Sequence, residues 1–221
     1  MRTFALTSFA AAALLLAATQ ARADIVKIDG FTYASPVSLN VSAPAYSGPA
    51  GQLSGWLNGN KYLTYCTDLL QQTVIGTVYT NYSVKSGLAA FGAAKSQMLD
   101  RLMSAFMATG APSNAASSAS AQAMIWEVLY ETGSSYNLGA GSFSVSTSNT
   151  ATQTAMQNVN WASIAATPIR YHVDQLFSPT AQDFMVITAV SVPEPSSIAL
   201  VAAAVFGMGV VARRTKKAKS A

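Results

Sequence analysis

The chain has 221 residues, one cysteine, one histidine and a formal net charge of +4. A single cysteine and a single histidine cannot form a metal site of the usual Cys/His type, so we expect neither a metal nor another cofactor. We find no Gly-rich phosphate loop and no acidic pair that indicates a glycosidase, and we expect that the chain is not an enzyme.

The N-terminus has the pattern of an export signal. Arg2 precedes an apolar stretch over residues 10–18, and Ala21-Arg22-Ala23 matches the small-x-small site of signal peptidase. A retained membrane helix is the alternative, but the apolar stretch is short for a membrane span and this cleavage pattern follows it. We therefore predict that residues 1–23 are a cleaved signal peptide.

The charge changes sign when the two ends are removed. Between residues 24 and 195 there are six basic residues against nine acidic residues, a net charge of −3. The overall basicity therefore belongs to the terminal segments, and no basic patch remains that would indicate nucleic-acid binding. What remains suits one exported domain with its own core, which we place at residues 24–191.

The first part of this domain is predicted to form strands. Apolar side chains alternate over residues 25–33, and residues 37–41 and 52–57 are short apolar segments between Pro and Gly residues. Asn58-Gly59 is a hairpin signal, because both residues tolerate positive φ. Residues 79–84 are a further candidate strand.

The middle of the domain is predicted to be helical. Apolar residues recur at helical spacing over residues 88–106, and Gly110 follows as a stop. A second helix is predicted over residues 117–130. Gln122 and Trp126 lie on its apolar stripe, so we expect both side chains to face the core.

The last part of the domain returns to a strand. Residues 134–154 are rich in Ser, Thr, Asn and Gly and are predicted to be a loop, whereas Thr167-Pro168 predicts a short helix through Phe177 that carries His172. Residues 182–190 form a strand that is apolar on both faces and hence central in its sheet. Strands on both sides of a helical insert indicate an α+β domain with a β-sandwich or barrel-like part.

The C-terminal segment combines three features. Val192-Pro193-Glu194-Pro195 is rigid and extended, because proline fixes φ, and an uncharged run of 15 residues follows at 198–212. A helix of that length measures about 22 Å, less than the about 30 Å of a hydrocarbon core, so we predict a short transmembrane helix there. Residues 213–221 should stay in the cytoplasm, because they carry a basic cluster formed by Arg213, Arg214, Lys216, Lys217 and Lys219.

In this order the three features resemble the PEP-CTERM sorting signal of Gram-negative bacteria, which we assign to residues 192–221. The resemblance implies that exosortase, a membrane protease, removes the tail after transient anchoring in the inner membrane. It also implies a final place at the cell surface or in an exopolysaccharide-containing biofilm matrix. An ordinary single-pass anchor is the alternative that composition alone leaves open.

The single cysteine belongs to a second pattern. Three segments, Tyr65-Cys66-Thr67-Asp68, residues 121–126 and residues 181–185, follow one another in an order that resembles the thioester domains of bacterial surface adhesins. In that family a cysteine of the first motif and a glutamine of the third form a thioester. The resemblance implies Cys66 and Gln182 as this pair, with four supporting residues, Tyr65, Asp68, Gln122 and Trp126.

Three hypotheses about function follow. The first is a covalent adhesin, whose thioester is attacked by an amine or hydroxyl group of a surface target. The second is a non-covalent structural protein of the surface or biofilm matrix, in which Cys66 is a free buried thiol. The third is a secreted hydrolase with a Cys66–His172 pair, which we disfavour because His172 on a short helix is more simply a surface or packing residue.

Overall fold

The computed structural model describes residues 23–110, 112–133 and 135–191. Residues 1–22, with nearly all of the predicted signal peptide, lie outside the described residues. So do residues 192–221, with the Val192–Pro195 motif, the predicted transmembrane helix at 198–212 and the basic cluster. Within the described ranges, no helix has the length and apolar character that a membrane span requires.

The described part contains strands and helices in mixed order. The strands are β1 (Asp24–Phe31), β2 (Val37–Val41), β3 (Tyr46–Ala50), β4 (Leu53–Leu57), β5 (Asn60–Thr64), β6 (Val78–Lys85), β7 (Val145–Ser146), β8 (Tyr171–Phe177) and β9 (Phe184–Ala189). The helices are α1 (Gly87–Phe91), α2 (Ala93–Thr109), α3 (Ala115–Tyr130), α4 (Thr150–Gln157) and α5 (Trp161–Ala165).

Six strands form an antiparallel sheet that almost closes on itself. Their order is β5-β4-β1-β6-β8-β9. The chain just after β5 meets β9, because the backbone N–H of Met185 donates to the carbonyl of Tyr65 at 3.0 Å and Cys66 forms a bridge with Phe184. We call this junction of residues 64–68 with residues 182–185 the seam of the barrel.

The core consists of two apolar clusters. One lies inside the barrel and includes Val26, Tyr82 and Phe184, and the other surrounds α2 and α3 and extends to a small sheet with the order β3-β2-β7. Helix α3 is buried on nearly all sides, since residues 118–128 are all buried. Cys66 packs against both clusters, so the seam lies where the barrel and the helical layer meet.

The predicted α+β class and most predicted strands are confirmed. Asn58 and Gly59 form the tight turn between β4 and β5 with φ values of 52° and 82°, as the hairpin signal requires. The first predicted helix is present but divided into α1 and α2 at Gly92, which has φ of 78°. The expectation that the last strand is central holds only for Phe184 and Met185. These two residues pair with β8 on one side and with the segment after β5 on the other.

The predicted helix from Thr167-Pro168 to Phe177 is wrong, because residues 171–177 form strand β8 and place His172 on a strand. Strand β8 is hydrogen-bonded to β6 on one side and to β9 on the other. Asp100 adds a further bond, since its Oδ1 accepts from the N–H of Val173 at 2.7 Å. Tertiary pairing therefore outweighs the local helix-start signal.

The predicted loop at 134–154 is also wrong in part. It contains β7 and the first residues of α4. Helix α4 begins there because the side chain of Asn149 accepts from the N–H of Thr152 at 2.9 Å, which caps the first turn. Ser/Thr/Asn-rich composition is typical of loops but also of helix caps, so composition alone could not separate them.

Two buried glutamates hold the loop that follows α3, Glu127 within the helix and Glu131 directly after its last residue. Glu131 accepts from the N–H of Gly133 at 2.5 Å and from the hydroxyl and N–H of Ser142 at 2.6 and 3.0 Å. These bonds, the Ser142 hydroxyl first, lower the pKa of Glu131 to about 2. Glu127 accepts from the N–H of Asn137 at 2.6 Å, and its burial raises its pKa to about 7.

We expect Glu127→Gln to raise the free energy of unfolding at alkaline pH. The folded state favours the protonated carboxyl, so its stabilising contribution is complete below the ordinary pKa of 4.5 and is lost as the pH rises through about 7. At about pH 8 the variant should be about 1–3 kcal/mol more stable than wild type, with little difference at about pH 4.5. Urea unfolding at both pH values checks this.

Glu131→Gln is the matched control, and we expect it to change the free energy of unfolding in the opposite direction. The depressed pKa of Glu131 stabilises the fold above its ordinary pKa of 4.5, and that stabilisation is lost as the pH falls toward about 2. Its replacement should therefore weaken the fold at neutral pH. Equal stability of wild type and Glu127→Gln across the pH range would contradict the prediction.

Candidate functional site

Gln122 holds the backbone of Cys66 from both sides. The N–H of Cys66 donates to Oε1 of Gln122 at 3.0 Å, and Nε2 of Gln122 donates to the carbonyl of Cys66 at 2.8 Å. Backbone groups that leave a sheet need other partners, and a primary amide offers an acceptor and a donor together. The side chain of Gln122 is fully buried on α3, so the position of Cys66 is fixed against the helical layer.

Gln182 lies opposite Cys66 across the seam. It lines the same pocket as Cys66, and its Nε2 donates to the carbonyl of Asp68 at 3.3 Å. Its backbone carbonyl accepts from the hydroxyl of Tyr82 at 2.7 Å, which ties this residue to the barrel core. The two residues of the predicted thioester pair therefore share one pocket, although they are far apart in the sequence.

Asp68 links the two segments of the seam. Its Oδ2 accepts from the N–H of Asp183 at 2.6 Å, and its Oδ1 accepts from the N–H of Gln71 at 3.0 Å. The N–H of Thr67 donates in addition to the carbonyl of Asp183 at 2.9 Å. Asp68 thus sets the distance between the segment that carries Cys66 and the segment that carries Gln182.

Asp183 is a site residue that the sequence reasoning missed. Its carboxylate accepts from the N–H of Ser178 at 2.7 Å and from Nε2 of Gln175 at 2.9 Å, and these bonds shape the turn before β9. No motif marked it. Its position directly after Gln182 and before an apolar run was the available signal, since a buried carboxylate there needs backbone partners.

The thiol and the carboxyl groups of the seam have raised pKa values. Burial raises the pKa of the Cys66 thiol and the charge of Asp68 raises it further, while the hydrogen bond from Gln182 opposes both effects. Burial likewise raises the pKa of Asp68, and it raises that of Asp183 to about 6. These effects favour the neutral Cys66 thiol over the more nucleophilic thiolate.

Cys66, Gln122, Gln182 and Trp126 line one pocket with a volume of about 310 Å³, which we call the seam pocket. The ring of Tyr46 packs edge-on against Trp126 with 5.4 Å between the centroids and forms part of the wall. The described residues that line this pocket carry no charge.

Three buried polar atoms at the seam pocket have no hydrogen-bond partner among the described residues. They are Nε1 of Trp126, Oε1 of Gln71 and Oγ1 of Thr73. An unpaired buried group costs about 1–3 kcal/mol, so these atoms reduce the stability of the fold near the pocket. Tyr65, also in the predicted set, is fully buried in the core and contributes its carbonyl to the seam.

The Cys66–His172 pair of the hydrolase hypothesis is not formed. Nδ1 of His172 lies 2.9 Å from Oδ2 of Asp100, its side chain is 58% exposed, and it does not line the seam pocket. Within the described ranges, no cluster of three His, Cys, Asp or Glu residues could hold a metal ion.

The comparisons with known proteins concern the tail of the chain. No match is found among curated proteins or among solved structures. Residues 191–217 match the family model of the PEP-CTERM protein-sorting motif, and this range overlaps the segment 192–221 that the sequence analysis assigned to sorting. The chain is therefore an exported protein that carries a PEP-CTERM sorting motif and is processed by exosortase, a membrane protease, for the cell surface.

Proposed function

We propose that the exported domain forms an internal thioester between Cys66 and Gln182 and uses it to attach covalently to a surface target. One observation carries this proposal: Cys66 and Gln182, far apart in the sequence, lie on opposite sides of the seam and line the same pocket. Gln122 and Asp68 support this arrangement. Gln122 fixes the backbone of Cys66 by hydrogen bonds of 3.0 and 2.8 Å, and Asp68 joins the two sides of the seam because its Oδ2 accepts from the N–H of Asp183 at 2.6 Å.

Formation of the thioester needs no outside reagent. The sulfur of Cys66 attacks the side-chain carbonyl carbon of Gln182, the C–N bond breaks, and the thiol proton leaves with the nitrogen as ammonia. The raised pKa of the thiol means that this proton is present when the reaction starts. After the attack the nitrogen is no longer conjugated with the carbonyl, so in this tetrahedral intermediate it is basic enough to take up the proton.

The target would enter through the seam pocket. A surface amine or hydroxyl attacks the thioester carbonyl, the C–S bond breaks, and the proton of the nucleophile passes to the Cys66 sulfur. The product is an amide or ester bond from Gln182 to the target, and each chain reacts once, so the protein does not act as an enzyme.

Intact mass spectrometry tests the proposal. The thioester makes the wild-type chain lighter by one ammonia, about 17 Da, and methylamine should then add about 31 Da as it opens the bond. Both changes should be absent in Cys66→Ala and in Gln182→Ala. A wild-type mass without the loss of ammonia would overturn the proposal.

The Cys66→Ala control is necessary because another reaction has the same mass change. Succinimide formation at Asn58-Gly59 would also release ammonia, but it does not depend on Cys66. Alkylation should be done on unfolded protein, because burial slows the reaction of a free Cys66 thiol in the native state. After unfolding, a free thiol is alkylated rapidly and a thioester is not.

A second candidate function is a non-covalent structural protein of the surface or biofilm matrix with a free Cys66. The packing of Cys66 against both core clusters favours it, because a buried cysteine also serves as a small apolar side chain. In that case the wild-type mass is unshifted, and unfolded wild type is fully alkylated.

A further inference from the structure

A second pocket lies apart from Cys66, between the loop that follows α3 and the helices α4 and α5. Its volume is about 430 Å³, within the about 300–1,000 Å³ usual for small-molecule sites. None of its lining residues also lines the seam pocket. We call it the aromatic pocket, because Tyr136 and Trp161 form part of its wall with 5.0 Å between their ring centroids.

The polar groups of the aromatic pocket are neutral. The lining side chains include three amides and a hydroxyl, from Asn137, Gln153, Gln157 and Ser146, and no charged group. Gln153 and Gln157 are one turn apart on α4 and exposed, and neither amide makes a hydrogen bond to a described residue. Free amides both donate and accept hydrogen bonds, so the pocket offers neutral partners of both kinds.

The walls of the aromatic pocket are held in place before any ligand binds. Glu127 fixes the N–H of Asn137 at 2.6 Å, and Val145 donates to the carbonyl of Leu138 at 2.7 Å. Helix α5 begins at Trp161 and is capped by Asn160, whose side chain accepts from the N–H of Ser163 at 2.9 Å. Fixed walls reduce the entropy that binding must overcome.

From this arrangement we infer that the aromatic pocket binds a neutral saccharide. The C–H faces of a sugar ring pack on flat aromatic side chains, here Tyr136 and Trp161. Its hydroxyl groups are donors and acceptors at once, which matches the amides of Gln153 and Gln157. A uronate or sugar phosphate would find no cation among the lining residues. The inference does not depend on the thioester.

The test uses the full chain in a detergent without a sugar headgroup, so that the detergent does not compete. Calorimetry and saturation-transfer NMR are done with cellohexaose, maltohexaose and mannohexaose, and with an oligogalacturonate of equal length as the charged probe. At least one neutral hexasaccharide should bind, and the oligogalacturonate should bind about tenfold more weakly or not at all.

Variants then locate the site. Trp161→Ala should weaken the binding by about tenfold or more, because the stacking face is lost. Replacement of both Gln153 and Gln157 by alanine should also weaken it, and since both residues are exposed on α4 this variant keeps the fold. Trp56→Ala is the matched control, because Trp56 lies on β4 and does not line the pocket, and it should leave the affinity within about twofold.

Three results would overturn the inference. They are the absence of binding by every neutral probe, equal binding of the charged probe, and an unchanged affinity in both Trp161→Ala and the double glutamine variant. A wild-type chain without the thioester mass shift would not affect it, so the two proposals fail separately.

Discussion

Gln122→Ala is expected to lower the free energy of unfolding by about 2–4 kcal/mol. The side chain is fully buried, and its removal leaves both the N–H and the carbonyl of Cys66 without their partner and opens a cavity beside Trp126. Denaturant unfolding followed by tryptophan fluorescence measures the change. In the chain with native Cys66, the fraction of molecules with the ammonia loss should fall as well.

The stability measurement should be made in a Cys66→Ala background. A covalent link between positions 66 and 182 would itself stabilise the fold by restricting the unfolded chain, and this background removes that contribution while it keeps the backbone atoms that Gln122 binds. Gln153→Ala is the matched control, since that glutamine is exposed, and it should change the stability by less than about 0.5 kcal/mol.

Gln122→Glu separates the contribution that the hydrogen bonds to Cys66 make to stability from the contribution of side-chain packing. A charged carboxylate can accept from the N–H of Cys66 but repels its carbonyl, whereas a protonated carboxyl can donate to that carbonyl. The variant should therefore recover stability as the pH is lowered toward about 4, relative to Gln122→Ala. Equal stability of Gln122→Ala and its parent would show that the two bonds to Cys66 do not hold the seam.

Asp68→Asn is expected to have the second large effect, a loss of about 1.5–3 kcal/mol in the free energy of unfolding and a marked fall in the thioester fraction. Asparagine has only one acceptor oxygen, so it can serve the N–H of either Asp183 or Gln71 but not both. Its amide group would face the other N–H. We expect residues 182–183 to move away from Cys66, and intact mass and urea unfolding measure the two changes.

Asp183→Asn is the control that separates positioning from stability. Its carboxylate binds Ser178 and Gln175, so its replacement loosens the turn before β9 without removing a side-chain bond to the Cys66 segment. It should reduce the stability but retain most of the thioester. An Asp68→Asn chain with the full ammonia loss would refute a positioning role for Asp68.

Local signals in the sequence were sufficient to predict much of the barrel. The alternation in β1 and the Asn58-Gly59 turn depend on neighbouring residues, and both are present as predicted. Strand β8 could not be recognised in this way, since its stability comes from β6, β9 and the carboxylate of Asp100, all distant in the sequence. Pairing on both sides of a short segment outweighs its local preference.

At the seam, too, some features could be predicted from the sequence and others depend on the fold. The order of the three motifs indicated Cys66, Gln122 and Gln182, because a resemblance can be read from residue types alone. The role of Asp183 and the raised pKa of the Cys66 thiol could not be predicted in that way, since both depend on burial and on groups that only folding brings close.

The sequence by itself determined the export route, the charge of the exported domain and the α+β class, because these depend on composition, on order along the chain and on short-range periodicity. The tertiary structure alone decided that the barrel closes at residues 64–68 and 182–185 and that Gln122 and Asp68 hold this seam. It also decided that Tyr136 and Trp161 share a pocket with the amides of α4. Such contacts join residues that are far apart in sequence, and their energies come from burial and hydrogen bonds that exist only after the chain has folded.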